Sequence, residues 1–521
     1  MMRALFLMLL LLLAPLSARA QDAFLDALAG LGGSFAQQAE AAERLGAGGD
    51  PRALPVLRAL SEGRLLKRPD SALLIRTGDG AMDAVTGAVV DAAGAEPVRI
   101  NNRVRVALRG AIGRLALVSP DVAERAAAAE AVYRSRSAET IPLLEAALTR
   151  ESVPRIRQQM ALALAASRLV ASDPMVQRRG IATLAGAGTE GARALLLEAR
   201  GASPALAAEI DAAIAGLDRS IAIKRAAETL YQGLSLGSVL LLAALGLAVT
   251  FGVMGVINMA HGEFVMLGAY ATVVVQDACR GIPWLEPWSL PLAVPAAFLV
   301  AGAAGALLER GLIRHLYGRP LETLLMTFGV GMIIQQAVRL AFGAQNREVI
   351  SPAWMQGTLE LPGGLMVTQN RLWVIVFSLA VLGLTIAAIR FTRFGLEMRA
   401  VTQNRRIAAT MGIRTGRVDA LTFAFGSGIA GMAGVALSQI DNVSPNLGTG
   451  YIIDSFMVVV FGGVGSLAGT LVGALSLGVV NKLLEPYAGA VLAKVAVLVG
   501  LMLFIQRKPR GLFPQKGRAA G

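Results

Sequence analysis

Beyond Tyr231 the chain is a succession of apolar stretches, most of them near the ~20 residues that an α-helix needs to cross a bilayer, parted by short polar connections. Candidate spans lie near 229–256, 261–278, 289–309, 322–342, 372–389, 419–440, 452–464, 467–484 and 488–506. The stretches near 452 and 467 are short or broken by glycine, in the manner of re-entrant or fused segments. With 55% apolar and 16% charged residues and a mean hydropathy of +0.59, the 521-residue chain is too apolar for an ordinary soluble enzyme. The expected fold class is therefore all-α: a polytopic membrane protein of about nine spans, preceded by an exported, mainly helical domain.

Three segments are expected: a signal peptide at 1–20, an extracytoplasmic helical domain at 21–225 and a transmembrane domain at 226–521. "MMRALFLMLLLLLAPLSARA" joins one arginine to an apolar run and a small-x-small end, the pattern of a cleaved secretory signal; an uncleaved anchor helix is the alternative. The lone Cys279 cannot form an intrachain disulfide. Between 21 and 225 no run is long and apolar enough to span. "SPDVAERAAAAEAVY", "SVPRIRQQMALALAASRLV", "DPMVQRRGIATLAGAG" and "SPALAAEIDAAIAGL" each open with Ser or Asp near a Pro and continue as an Ala/Leu-rich pattern. Ser or Asp caps a helix start, and Pro fits its first turn. The recurrence suggests stacked helical hairpins that loosely resemble HEAT-like repeats, with "DPRALPVLRAL" as an earlier copy. "ALLIRTGDGAMDAVTGAVV" carries the turn signals of a small β element. Such a domain reads either as a docking surface or as a scaffold.

Lysine and arginine set the orientation. One side of the spans collects Arg310, Arg314, Arg319, Arg390, Arg393, Arg399, Arg405, Arg406, Arg414, Arg417, Arg507, Lys508, Arg510, Lys516 and Arg518; the other has Arg280, Arg347, Arg371 and Lys482. The first side is expected to be cytoplasmic, and an odd number of spans then places the N-terminal domain outside, as a signal peptide also requires. The net charge of +13 is thereby read as a topology signal rather than a nucleic-acid footprint.

The stretch "GLEMRAVTQNRRIAATMGIRTG" (395–416) falls in a basic loop on the expected cytoplasmic side. It reads as charge retention for topology, as a site for anionic headgroups, or as a docking element. Met398, Val401, Ile407, Ala408, Met411 and Ile413 recur among its polar residues and favour docking. No Walker A sequence occurs, so ATP binding by that device is excluded. His261 and His315 are the only histidines, no Cys/His metal spacing exists, and Ser466 lacks the spacing of a nucleophile elbow, so neither a metal site nor an enzyme site is expected. Gly462, Gly463, Gly465, Gly469 and Gly473 suit close helix packing.

Three blocks, "GVMGVINMAHGEFVMLGAY" (252–270), "GLEMRAVTQNRRIAATMGIRTGRVDALTFAFGSGIAGMAG" (395–434) and "VVVFGGVGSLAGTLVGALSLG" (458–478), closely resemble the membrane permeases of ABC importers for branched-chain amino acids, amides and urea. The exported extension, "RTGRVDALTF", "ALSQIDNVSPNLGTGYIIDSFMVVVFGGVGS" and "QRKPRGLF" look most like the B-type permease of the urea importer. The resemblance implies a permease without its own ATPase site or bound cofactor, in a bacterial inner membrane with its C-terminus cytoplasmic. Implied partners are cytoplasmic ATPase subunits that use ATP, a second permease, a periplasmic solute-binding protein and a small-molecule substrate, with no nucleic acid. It further implies that Glu397, Arg399, Ala400, Asn404, Arg405, Ala408, Met411 and Gly412 form the ATPase-coupling contact.

Asn258, His261 and Glu263 cluster where one span meets the next, either capping the following helix or forming a gate, and Asp454 and Ser455 are further pathway candidates. Lys494 lies close enough to a span end to snorkel. Urea needs neutral hydrogen-bonding groups, whereas a zwitterionic amino acid asks for compensating charges or a wet cavity. Few charges fall within the expected spans, which favours urea; a branched-chain amino acid or short amide importer is the alternative, and a receptor with an extracytoplasmic sensing domain is the reading from another class.

Overall fold

The computed structural model describes residues 24–48, 50, 52–70, 72–77, 80–91, 93–361 and 365–513; the expected signal peptide lies outside the described residues. The described chain is mostly helical and divides into two compact units, one ending at Ala222 and the other beginning at Ile223.

In the first unit, helices 24–30, Phe35–Gly48, Ala53–Ser61 and Asn102–Ala116 enclose a core that includes Leu31, Leu57, Leu60, Val104 and Leu108. Between the third and fourth of these helices the chain forms a five-stranded antiparallel sheet from Leu65–Lys67, Leu73–Thr77, Gly80–Asp83, Val89–Val90 and Glu96–Pro97. In space the order is fourth, third, second, first, fifth. The sheet corrects the all-α expectation, which allowed only a small β element here. Strands of two or three residues are too short for alternation to register in the sequence.

Helices Val122–Ser135, Ile141–Arg150, Pro154–Leu169, Pro174–Ala187 and Glu190–Ala202 follow. The side chains of Asp121 and Asp173 accept from the amides of Ala123 and Met175, and Pro174 takes the first turn. Ahead of Pro154 the cap is Val153, with no side-chain bond of its own; the Glu151 carboxylate accepts from the Val153 amide at 2.9 Å. "SPAL" opens with a 3-10 turn, Pro204–Leu206, that runs directly into the helix Ala207–Met254.

Among the described residues, six helices are long and apolar enough to cross a membrane: Pro204–Met254 (counted with its opening turn), Glu286–His315, Pro320–Phe342, Gln369–Phe391, Thr415–Leu437 and Leu467–Arg507. About nine were expected, and the difference has three sources. His261–Cys279 carries His261, Glu263 and Asp277 in its 19 residues and is not one of the six. Leu447–Gly462 has only 16 residues. The stretches near 467 and 488 remain two helical arms that meet at a kink, where Gly489, just after Pro486, leaves the helical conformation at φ +75°; the two arms count together as Leu467–Arg507 among the six.

Small residues let these helices touch backbone to backbone. A Cβ on Gly268 would overlap the Gly431 backbone, and one on Gly434 would overlap Val265 and Ala269, so His261–Cys279 and Thr415–Leu437 meet at glycine. Phe264 and Phe423 fill the same core edge to face, with centroids 6.2 Å apart. A short hairpin, Thr358–Leu361 with Leu365–Thr368, precedes Gln369–Phe391.

Candidate coupling and solute site

The basic loop folds as two helices, Arg393–Gln403 and Arg405–Thr410. Thr392 caps the first by accepting from Gly395, and Asn404 caps the second by accepting from Ile407 at 3.0 Å. Gly412, at φ +86°, ends the second, and beyond it the Ile413 amide turns back to the Ala408 carbonyl at 3.1 Å. A Cβ on Gly395 would collide with the Ile389 carbonyl, so only glycine permits the turn out of Gln369–Phe391. Arg399 donates to that same carbonyl at 2.7 Å, satisfying the helix end.

The apolar residues of the loop do not share one face. Met398, Val401 and Ala408 turn inward onto Val249 and Val418, whereas Leu396, Ile407 and Met411 are exposed. The inward set belongs to packing, so only the outward set is free to meet a partner. Glu397, Arg399, Asn404, Arg405 and Gly412 are also exposed, Ala400 is half-buried and Ala408 is buried.

Arg405 is committed within the chain. Its Nη1 and Nη2 donate to Asp419 Oδ1 and Oδ2 at 3.1 and 2.5 Å, and its guanidinium stands 5.0 Å from the centroid of the Tyr317 ring. The Tyr317 hydroxyl donates to Glu309 at 2.9 Å. Asp419 and Glu309 are buried, so this chain of contacts ties the loop to Thr415–Leu437 and to Ser289–Gly311.

The block around Asn258 turns back into the helical bundle. Ala260, not Asn258, occupies the helix-capping position; the Asn258 Oδ1 accepts from the Ala260 amide at 3.0 Å, which corrects the capping expectation. His261 Nε2 bonds the Ala243 carbonyl at 2.8 Å; because a carbonyl only accepts, that nitrogen carries the proton. Ala243 lies eleven residues before Met254, about 16 Å along the helix axis, so His261 is deep among the helices rather than at their edge. Glu263 is buried, with Oε2 unpartnered, and the Met259 amide donates to Thr327 Oγ1 at 3.1 Å.

Asp454 and Ser455 are buried on Leu447–Gly462. The Ser455 hydroxyl donates to the Tyr451 carbonyl of its own helix at 2.8 Å. Asp454 instead accepts from Lys494 Nζ at 3.0 Å, so the ammonium has a carboxylate partner on Leu447–Gly462. Among the described residues no group of three His, Cys, Asp or Glu side chains is placed to hold a metal ion.

With this geometry in hand, the comparisons with known proteins are informative. Residues 229–506 match the family model described as the branched-chain amino acid transport system / permease component. The chain belongs to this permease family. Over 294 residues it is 33% identical to the high-affinity branched-chain amino acid transport system permease protein LivH of Salmonella typhimurium, covering 55% of this chain and 94% of the relative. It is 30% identical to the permease protein BraD of Pseudomonas aeruginosa, over the same shares of each chain. No solved structure matches significantly.

Within this permease, Gly462 and Gly469 meet backbone to backbone, and a Cβ on Gly473 would press on the Val458 carbonyl at 3.0 Å. Gly463 (φ +102°) packs on the Arg510 and Phe513 carbonyls, and Gly465 lies against Gly252. Sequence reasoning missed Asp419, Tyr317, Glu309 and the partner of Lys494. The available signal was an acid inside an apolar run, as in "RVDALTF" and "LLERG", since a charge there requires a partner.

Proposed function

We propose that this multi-pass membrane protein is a permease subunit of an ATP-driven importer for branched-chain amino acids. The observation that carries the reading is the family match from 229 to 506, which includes the basic loop and the buried carboxylate that anchors it. The exposed Leu396, Ile407 and Met411, beside Arg406, form the face offered to a cytoplasmic ATPase subunit, and the Arg405–Asp419 pair hands movement of that loop to two spanning helices. ATP is consumed by the partner. A second permease and a periplasmic solute-binding protein complete the assembly in the inner membrane. The chain crosses nine times, the three crossings beyond the six long helices being made by His261–Cys279, Leu447–Gly462 and the second arm of the bent helix. The HEAT-like N-terminal domain is then periplasmic and the C-terminus cytoplasmic. The names of the relatives favour amino acids as the solute.

Urea is the second reading. It is favoured by the first 228 residues, which lie outside the family match and include the exported extension that marks the urea-type resemblance. Uptake of labelled leucine and labelled urea, measured in cells with and without the gene and before and after ATP depletion, separates the two. Loss of ATP-dependent leucine uptake alone is the expected result. Loss of urea uptake alone moves the solute to urea, and no loss of either removes the importer reading.

A further inference from the structure

Lys494 lies on the second arm of the bent helix, five residues after the Gly489 bend and thirteen before Arg507, or about 8 and 20 Å along the axis. Its neighbours Val491, Leu492 and Val495 are apolar and exposed. The Lys494 side chain is 47% exposed, while Asp454 beneath it is 8% exposed, and the ammonium stands 5.9 Å from the centroid of the Tyr451 ring. An ammonium that joins a buried carboxylate on one side and lies half-exposed among apolar residues on the other calls for water or polar groups on its outer side; ionisable groups within spans face a bundle interior or a water-filled cavity.

A second set of polar groups flanks the other side of Leu447–Gly462. Gln335 Nε2 donates to Asn446 Oδ1 at 3.0 Å and to Thr449 Oγ1 at 3.4 Å, and Arg339 Nη2 donates to the same Asn446 oxygen at 3.0 Å. Between these contacts and the Asp454–Lys494 pair, Gly450 and Ile453 are exposed. Leu447–Gly462 thus presents an exposed strip with hydrogen-bonding groups on one side, an ion pair on the other and a glycine and an isoleucine between them.

We propose that this exposed strip is one wall of a water-filled solute passage, and that Asp454 and Lys494 hold a small solute bearing N–H donors at one end and an oxygen acceptor at the other. The donor end meets the Asp454 carboxylate and the oxygen meets the Lys494 ammonium, each replacing the other's partner in the resting pair, so neither charge is left bare during passage. An amino acid zwitterion and urea both present these two ends. The inference rests on the importer reading and adds the residues that grip the solute.

The test uses the whole importer in membranes, with Cys279→Ser as background. Ile453→Cys is compared with Leu384→Cys, an exposed position on Gln369–Phe391, for labelling by a membrane-impermeant charged thiol reagent. Labelling of Ile453→Cys, slowed by solute, with no labelling of Leu384→Cys is expected. Protection by leucine or by urea names the solute. Labelling of Ile453→Cys as slow as that of Leu384→Cys overturns the passage, and labelling that neither solute slows, in an importer that transports one of them, overturns the grip.

Exchange of the two charges, Asp454→Lys with Lys494→Asp, separates binding from helix attachment. The exchanged pair keeps the helices tied but reverses the ends offered to the solute, so uptake is expected to fall by about tenfold or more, with KM raised. Wild-type uptake in the exchanged pair reduces Asp454–Lys494 to a tie and overturns the proposal. Lys494→Arg, which keeps both charge and pairing, is expected to retain most uptake. If the exchanged pair fails to assemble, the cysteine comparison decides alone. Absence of ATP-dependent uptake of either solute by the wild type counts against the importer reading, whereas the labelling result still reports on the passage.

Discussion

Gly110 in the first unit faces open space, and the helices around it are tied by pairs such as Arg58–Glu124 and Arg125–Glu151. In the second unit Gly268, Gly431 and Gly434 leave no room for a methyl group, and charged pairs such as Arg405–Asp419 and Lys494–Asp454 join helix to helix. Water satisfies the outer faces of the first set of helices, so their attachment draws on apolar burial and on arginine–carboxylate pairs. Hydrocarbon removes the hydrophobic force between helices, so attachment there depends on close backbone contact. Glycine is therefore dispensable at Gly110 and required at Gly268, Gly431 and Gly434, while Gly46 and Gly180 show that the first unit also has positions of close backbone contact.

The comparison is broken most severely by Gly268→Leu. The added side chain meets the Gly431 backbone, and a cost above about 4 kcal/mol is expected, read as loss of the monodisperse detergent-solubilised chain. Next comes Arg125→Ala, which strands the Glu151 carboxylate, only 1% exposed in its side chain. A loss of about 3–5 kcal/mol in denaturant unfolding of the first unit, followed in the full chain, is expected.

The same pair makes a pH prediction. The Arg125 guanidinium holds the Glu151 carboxyl below its ordinary value of 4.5. The folded value is thus lower than the unfolded one, and the contribution is complete above the unfolded value and lost as pH falls through the folded one. Glu151→Gln should lower the melting temperature near neutral pH and make it less sensitive to acid below about pH 4. An equal acid slope in both proteins contradicts this. Gly110→Ala, in contrast with Gly268→Leu, should stabilise by about 0.5–1 kcal/mol through helix propensity. Arg134→Ala breaks an exposed pair with Glu130 one helical turn away, and a change below about 0.5 kcal/mol is expected in the same unfolding experiment.

Much of the helical framework is legible in the sequence because apolar runs of spanning length and Asp–Pro starts are local signals. The division of Leu467–Arg507 into two arms is legible too, since Pro486 and Gly489 mark the kink between the two apolar runs. The short strands at Leu65–Lys67 and Glu96–Pro97 leave no periodicity to read. In the loop, the Asn404 cap and the Gly412 turn follow from residue type. The division of its apolar residues does not, because Met398 and Ala408 are buried only by side chains brought from Val249 and Val418. Arg405 looks like any other basic residue of the loop until Asp419, fourteen positions on, closes against it.

The most direct test is to measure ATP hydrolysis and solute uptake together in the reconstituted importer carrying Asp419→Asn. If the buried carboxylate passes movement of the loop to the spanning helices, hydrolysis continues while uptake falls. Uptake and hydrolysis both at wild-type levels would contradict that coupling role.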